Sequence, residues 1–194
     1  MTAIDGPLRL TTTAHGTERP VPPWASMTAH AIPLLLLPQC LWRLPFAFGF
    51  EMGLDADGAM PSSLWVSVPY VFGLSLITEG LALLSFGLVR GWGEVAPAWL
   101  PFIGGKRIAP SAAIIPATLG GLGATVFWAP VPLSWFGVGD AAGFSSGGWE
   151  TLASLCIAPG TLWGPLVLLL TYAYYTRRCR PAKHHGHSGG SVAA

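Results

Sequence analysis

The sequence predicts an all-α polytopic membrane protein: a four-transmembrane-helix bundle with interrupted helices and an interfacial loop. Three observations carry that expectation. Of 194 residues, 52% are apolar and only 10% are charged. An ordinary soluble domain has about 25% charged residues, so this chain is short of the charge needed to cover a water-facing surface. The apolar residues gather into four stretches, each near the roughly 20 residues that a helix needs to cross a hydrocarbon core of about 30 Å. The charges lie between those stretches. The same hydrophobicity excludes disorder, and a net charge of +1 offers nothing to a nucleic acid.

Residues 1–28 form a polar N-terminal segment. Asp5, Arg9, His15, Glu18 and Arg19 leave no room for the apolar core of a secretory signal. The first span covers about 29–50 and contains Pro33, Pro38 and Pro45, each a candidate interruption. The second, about 65–89, is the most uniform apolar run. The connection GWGEVAPAWLPFIGGKRI that follows carries Trp92 and Trp99, which are expected at headgroup level. The third span, about 109–132, is rich in small residues, and Gly120 with Ala124 makes a small-xxx-small pair suited to close helix approach. The fourth, about 150–175, is interrupted by Pro159-Gly160 and Gly164-Pro165. Residues 29–176 thus form the membrane domain. Residues 177–194 are a basic stretch and then a Gly/Ser-rich tail, expected to be disordered, whose His184, His185 and His187 read as solvated.

Basic residues orient the spans. Arg9 and Arg19, then Arg90, Lys106 and Arg107, then Arg177, Arg178, Arg180 and Lys183 fall on one side of a four-span chain, while Glu51, Asp55, Asp57 and Asp140 fall on the other. The positive-inside rule makes the basic side cytoplasmic, so a multi-pass protein of the plasma membrane with both termini inside is expected. Cys40, Cys156 and Cys179 show no paired spacing, which predicts neither a disulfide framework nor a zinc site.

Two charges are not explained by topology. Glu79 lies about 14 residues, or roughly 21 Å, into the second span, where an ionisable group is costly unless it turns inward, neutralises or pairs. It reads as a neutral acid able to donate a proton, as a carboxylate held by Arg43, or as a structural interhelical hydrogen-bonding group. Arg43 lies about 10 Å below the outer end of the first span and is able to reach outward to Glu51 or Asp55, or inward to Glu79. Glu51, Asp140 and Glu150 sit at the outer ends of spans, where Glu150 has the plainer role of a carboxylate at a helix N-terminus. With Glu79 they make a candidate set of catalytic acids. Trp42, Phe46, Tyr70, Phe72, Trp128 and Trp163 are candidate substrate-binding residues: aromatic faces stabilise cations without being nucleophiles, although lipid contact is their plainer role.

The stretches LWRLPFAFGF, TEGLALLSFGLVRGWGEVAPAWLPFIGGKRIAP and APGTLWGPLVLLLTYAYY resemble a family of small four-span actinobacterial integral membrane proteins. That family is similar to membrane-bound terpene cyclases of drimentine-type indole sesquiterpenoid pathways. The resemblance covers about residues 29–176 and carries over no catalytic residue. It implies protonation-initiated cyclisation of a farnesyl-type chain on an indole or dipeptide-derived substrate, a lipophilic molecule taken from the bilayer. Such chemistry needs a neutral acid, cation-tolerant walls and a terminating base, and implies neither a cofactor nor a metal. No DDxxD-like metal cluster is present in the sequence. A small proton-coupled transport or resistance protein, and a non-catalytic membrane assembly subunit, are the alternatives.

Overall fold

The computed structural model describes residues 17, 19–54, 63–96, 98, 105–138 and 143–180. It is an all-α four-helix bundle, and among the described residues the only β pairing is two isolated bridges. Helix α1 (Pro23–Arg43) runs into a 3-10 turn at Leu44–Phe48, and α2 (Leu64–Leu84) into one at Ser85–Leu88. Helices α3 (Pro110–Trp128) and α4 (Pro130–Trp135) are nearly continuous, whereas α5 (Gly147–Ile157) and α6 (Trp163–Cys179) are joined by the 3-10 segment Ala158–Leu162. Four units are long and apolar enough to cross a membrane: Pro23–Phe48, Leu64–Leu88, Pro110–Trp135 and Gly147–Cys179.

The elements depart from the expected spans for local reasons. The first helix begins at Pro23 rather than near 29. Proline is favoured in a first turn, where its missing N–H has no intrahelical partner to lose, and Thr28 and His30 bond back to the carbonyls of Trp24 and Ser26 (2.8 and 2.7 Å). Pro33 and Pro38 lie inside a continuous α1, and the helix tightens only at Leu44, before Pro45. Pro159 does break its span, but Pro165 falls in the first turn of α6, where it costs nothing. The third span steps at Ala129, because Pro130 brings no N–H to continue the ladder.

Helix α1 is the hub. Ala25, Ala29, Ile32 and Leu36 are fully buried at alternating spacings of four and three, the repeat of a helix–helix seam. They meet Leu170, Ala173 and Tyr174 of α6, Ala82 and Leu88 of the second span, and Val89 just beyond it. Helix α1 packs against α2, α5 and α6, and α6 packs against α3.

The α3–α6 seam is the most extensive helix contact among the described residues, and small residues bring it close. Gly164 lies so near Thr125 that a Cβ has no room, and a Cβ on Gly121 would come 2.8 Å from Leu168 Cδ2. Thr125 Oγ1 donates to the Gly121 carbonyl at 2.7 Å, which satisfies its hydroxyl within the helix. The contacting pair is therefore Gly121 and Thr125, one position beyond the expected Gly120 and Ala124.

All three basic segments meet at one end. Arg19 Nη1 donates to the carbonyls of Arg177 and Arg180 (2.8 and 2.7 Å), and Arg178 Nη2 to that of Ile108 (3.1 Å). The connection after α2 folds back on itself, with Ile108 N–H bonding the Glu94 carbonyl (2.9 Å) and Ala96 N–H that of Lys106 (3.0 Å). Gly93 sits against the Gly87 carbonyl in a space that admits no side chain. At the far end, Ser145 N–H bonds the Gly53 carbonyl (2.7 Å), which ties the two far-end connections together. Asp55, Asp57, Trp99, Asp140 and the tail histidines lie outside the described residues.

Candidate functional site

The buried seam of α1 continues past Leu36 to Gln39 and Arg43 at the same spacing, so its interior turns polar in the half nearer the far end. Gln39 is 3% exposed and its Oε1 has no hydrogen-bond partner. It lies against Gly160, in the broken segment of the fourth span, where a Cβ would come 2.9 Å from Oε1. The Trp128 ring flanks the same glycine, its Nε1 likewise buried and without a partner. Glycine at 160 therefore lets backbone, amide and indole converge.

The neighbouring side of α1 meets α2. Cys40 Sγ lies 3.8 Å from the Ser75 carbonyl oxygen and 3.9 Å from Glu79 Oε2. Ser75 Oγ is buried without a partner one helical turn from Glu79. Glu79 is one residue off the buried seam of α2, so it sits at the edge of the α1–α2 contact and remains partly exposed. A buried polar group with no partner costs roughly 1–3 kcal/mol, and Gln39, Ser75, Trp128 and Arg43 Nη1 all carry this cost within the spans. Buried polar groups left without a partner each call for an explanation, and an ionisable residue within a span is by default a site hypothesis.

Of the acidic candidates among the described residues, only Glu79 lies beside these groups. Arg43 pairs with neither Glu79 nor Glu51 among the described residues: it follows Gln39 along the interior stripe, whereas Cys40, around the helix, takes the position facing Glu79. Glu51 and Glu150 are exposed at the far end, Glu150 in the first turn of α5. The end of α1 from Cys40 and the 3-10 turn to Phe48 separate them from the depth of Glu79 by more than about 12 Å. The expected acids do not converge, and Asp140 is outside the described residues.

The aromatic candidates fall in three places. Trp42 is buried at the far end, with Phe46 and Trp149 at ring distances of 6.3 and 6.2 Å. Tyr70 and Phe72 point outward from α2, and among the described residues Phe72 meets the Phe48 ring (6.3 Å). Trp128 belongs to the polar cluster. Trp163 instead lines a cavity of about 420 Å³ in the basic-end half, between α2, α3 and α6, with Leu84, Leu88, Trp92, Ala117 and Gly120. Leu81, Leu84, Ser85 and Leu88 form one stripe of the second span, and Glu79 lies on its opposite flank.

Sequence reasoning missed Gln39, Ser75 and Glu94. Gln39 had a usable signal: it is the sole carboxamide side chain in the chain, and it falls on the 4-3 seam that starts at Ala25. Glu94 is 1% exposed and pairs with Arg177 at 2.9 Å and Arg178 at 3.8 Å. Both guanidinium groups lie over the Tyr174 ring (5.6 and 6.0 Å), whose hydroxyl donates to the Gly93 carbonyl at 3.1 Å. The single acid between Arg90 and Lys106 was the cue to that clasp.

Fold and site define a multi-pass membrane bundle with an intramembrane carboxyl beside an interior patch of unpartnered polar groups. No protein-family profile matches the chain, and neither does any curated protein or solved structure.

Proposed function

We propose that the protein is a membrane-embedded terpene cyclase that closes a prenyl chain carried on an indole or dipeptide-derived substrate. The observation that carries this reading is Glu79: a carboxyl deep in a span, without a cationic partner among the described residues, partly exposed along the α1–α2 seam where a lipophilic chain arrives from the bilayer. The neutral carboxylic acid adds its proton to the terminal alkene, leaving a tertiary cation and a Glu79 carboxylate. An internal alkene attacks the cation to form the ring. Loss of a proton to the carboxylate or to water then restores neutrality and gives an isomer of the substrate. Because protonation starts the cascade, the reaction needs no metal-assisted ionisation.

The polar end of such a substrate matches the interior patch. An indole N–H or amide suits Gln39 Oε1, and an amide carbonyl suits Trp128 Nε1–H or Arg43. Trp42 near the end of α1 and Phe46 in the 3-10 turn that follows it offer cation-stabilising faces. The convergence of the basic segments at one end supports a plasma-membrane orientation with both termini cytoplasmic.

Incubating membranes that contain the protein with farnesylated indoles, and analysing products by mass spectrometry and NMR, tests this reading. Wild type yields a cyclised isomer, whereas Glu79→Gln yields none while still inserting and remaining monodisperse in detergent. Wild-type rates from Glu79→Gln would remove Glu79 as the acid. The unpartnered polar groups between Ser75 and Arg43 also suit a proton-coupled transporter. Protonophore-sensitive substrate uptake into proteoliposomes, without any new product, would favour that alternative.

A further inference from the structure

Arg43 ends α1 inside the first span. At the other end of the bundle the arginines are provided for: Arg177 and Arg178 share Glu94, Arg19 donates to two carbonyls, and Arg90 lies over the Phe86 ring. Among the described residues Arg43 has no carboxylate, carbonyl or ring partner, and its Nη1 is buried. A guanidinium keeps its charge at any accessible pH. A buried charge without a counterion is far costlier than a buried neutral group, so this position within a span calls for an anion that the fold does not supply.

The neighbouring groups narrow the choice of anion. Gln39 lies one turn back on the same stripe of α1, a spacing that sets Cβ atoms about 5–6 Å apart, and its Oε1 faces Gly160 beside the Trp128 ring. A neutral amide or indole head satisfies the unpartnered Gln39 Oε1 and Trp128 Nε1–H but leaves the charge of Arg43 uncompensated. A phosphate group carries about −1.5 to −2 charge, more than one guanidinium offsets, and Glu51 and Glu150, exposed at the far end, oppose a dianion. A carboxylate matches the single charge, and its two oxygens accept the paired donors of a guanidinium.

We infer that Arg43 binds a carboxylate of the ligand, so that the molecule reaching Gln39 and Trp128 is an organic acid rather than a neutral amide. The prenylated-indole identity of that molecule rests on the cyclase reading above. The demand for one negative charge does not, because it comes from Arg43 alone.

The test compares a farnesylated indole carboxylic acid with its primary amide, each titrated into the full chain in a non-ionic detergent near neutral pH, with binding followed by calorimetry. Wild type is expected to bind the acid roughly tenfold more tightly than the amide, the worth of a charge-assisted hydrogen bond. Arg43→Gln should abolish that preference by weakening the acid alone, and Arg43→Lys, which keeps the charge without the planar fork, should retain part of it. Equal binding of acid and amide by wild type overturns the inference, and that comparison stands even if a variant fails to fold. So does a preference that survives Arg43→Gln, or one that added phosphatidylglycerol abolishes and phosphatidylcholine does not, which would give the guanidinium to a lipid phosphate. Turnover separates the two readings: cyclisation of the amide as readily as the acid, with equal binding, removes only the carboxylate site, whereas preferred binding of the acid without any cyclised product removes only the cyclase.

Discussion

Gln39 and Glu79 are both polar side chains within spans, yet they ask different things of the fold. Glu79 keeps a thiol neighbour and partial exposure, so its cost is moderate. Gln39 is buried on the central seam with an oxygen that no protein group satisfies, a cost of roughly 1–3 kcal/mol that leucine in the same place would not carry. Gln39→Leu is therefore expected to raise thermal stability in detergent, by about 1 kcal/mol once imperfect packing is allowed for. If Gln39 holds the polar end of the substrate, the same variant raises KM at least tenfold and leaves kcat less affected. Parallel melting and steady-state measurements check both: a variant that is less stable and fully active would make Gln39 structural. At this scale the sequence reveals ionisable groups better than neutral ones. A lone Glu in an apolar run is conspicuous from its charge, whereas Ser75 and Trp128 become informative only when their burial and missing partners are seen. Arg43 was equally visible, but its neighbour could not be read, since a rotation of one residue around α1 exchanges Gln39 for Cys40 as the group beside it.

The α3–α6 seam shows what an element needs from its small residues. With lipid on the outside, helix association in a membrane rests on packing rather than on apolar burial, so close backbone approach is the stabilising device. Gly164 against Thr125 and Gly121 supplies it. Gly164→Val inserts branched volume where no Cβ fits and is expected to cost about 2 kcal/mol or more; Gly123→Ala, which meets open space, should cost almost nothing by comparison. Unfolding titrations of the two variants in mixed micelles measure the difference, and equal midpoints would mean that the seam does not hold the helices together. The sequence displayed this richness in glycine but not its register. A run containing Gly120, Gly121 and Gly123 presents several small faces, and only packing selects one. Prolines behaved similarly: Pro159 breaks its span, while Pro165 and Pro23 sit in first turns and Pro33 and Pro38 are carried within α1. The residue type warned of a break, and position within the helix decided it.

At the scale of the whole molecule, the two ends are built differently, and that difference bears on how the protein sits in its membrane. The far end is closed by backbone contact between the loops at Gly53 and Ser145, whereas the other end is a charged clasp in which Arg19, Arg177, Arg178 and Glu94 join the chain's beginning, its central connection and its last helix. Counting basic residues and the parity of four spans anticipated that these segments share a face. It did not anticipate that they bind one another through a buried acid, because a Glu in a loop reads as solvated until the loop is seen to fold over it. The clasp places fixed positive charge at one membrane surface, and a translocated end would have to carry Arg90, Lys106, Arg107, Arg177, Arg178 and Arg180 across the bilayer. Retention of that end in the cytoplasm is the cheaper outcome. Cys179 reports on it directly: it is exposed at the end of α6, while Cys40 is buried. In a Cys40→Ser, Cys156→Ser background, a membrane-impermeant maleimide should leave Cys179 unmodified in intact cells and react fully after lysis. A cysteine in place of Asp57 in a background without native thiols should show the reverse pattern. Labelling of Cys179 in intact cells would invert the topology and put the charged clasp on the opposite leaflet, while the geometry of Glu79 and its neighbours would be untouched.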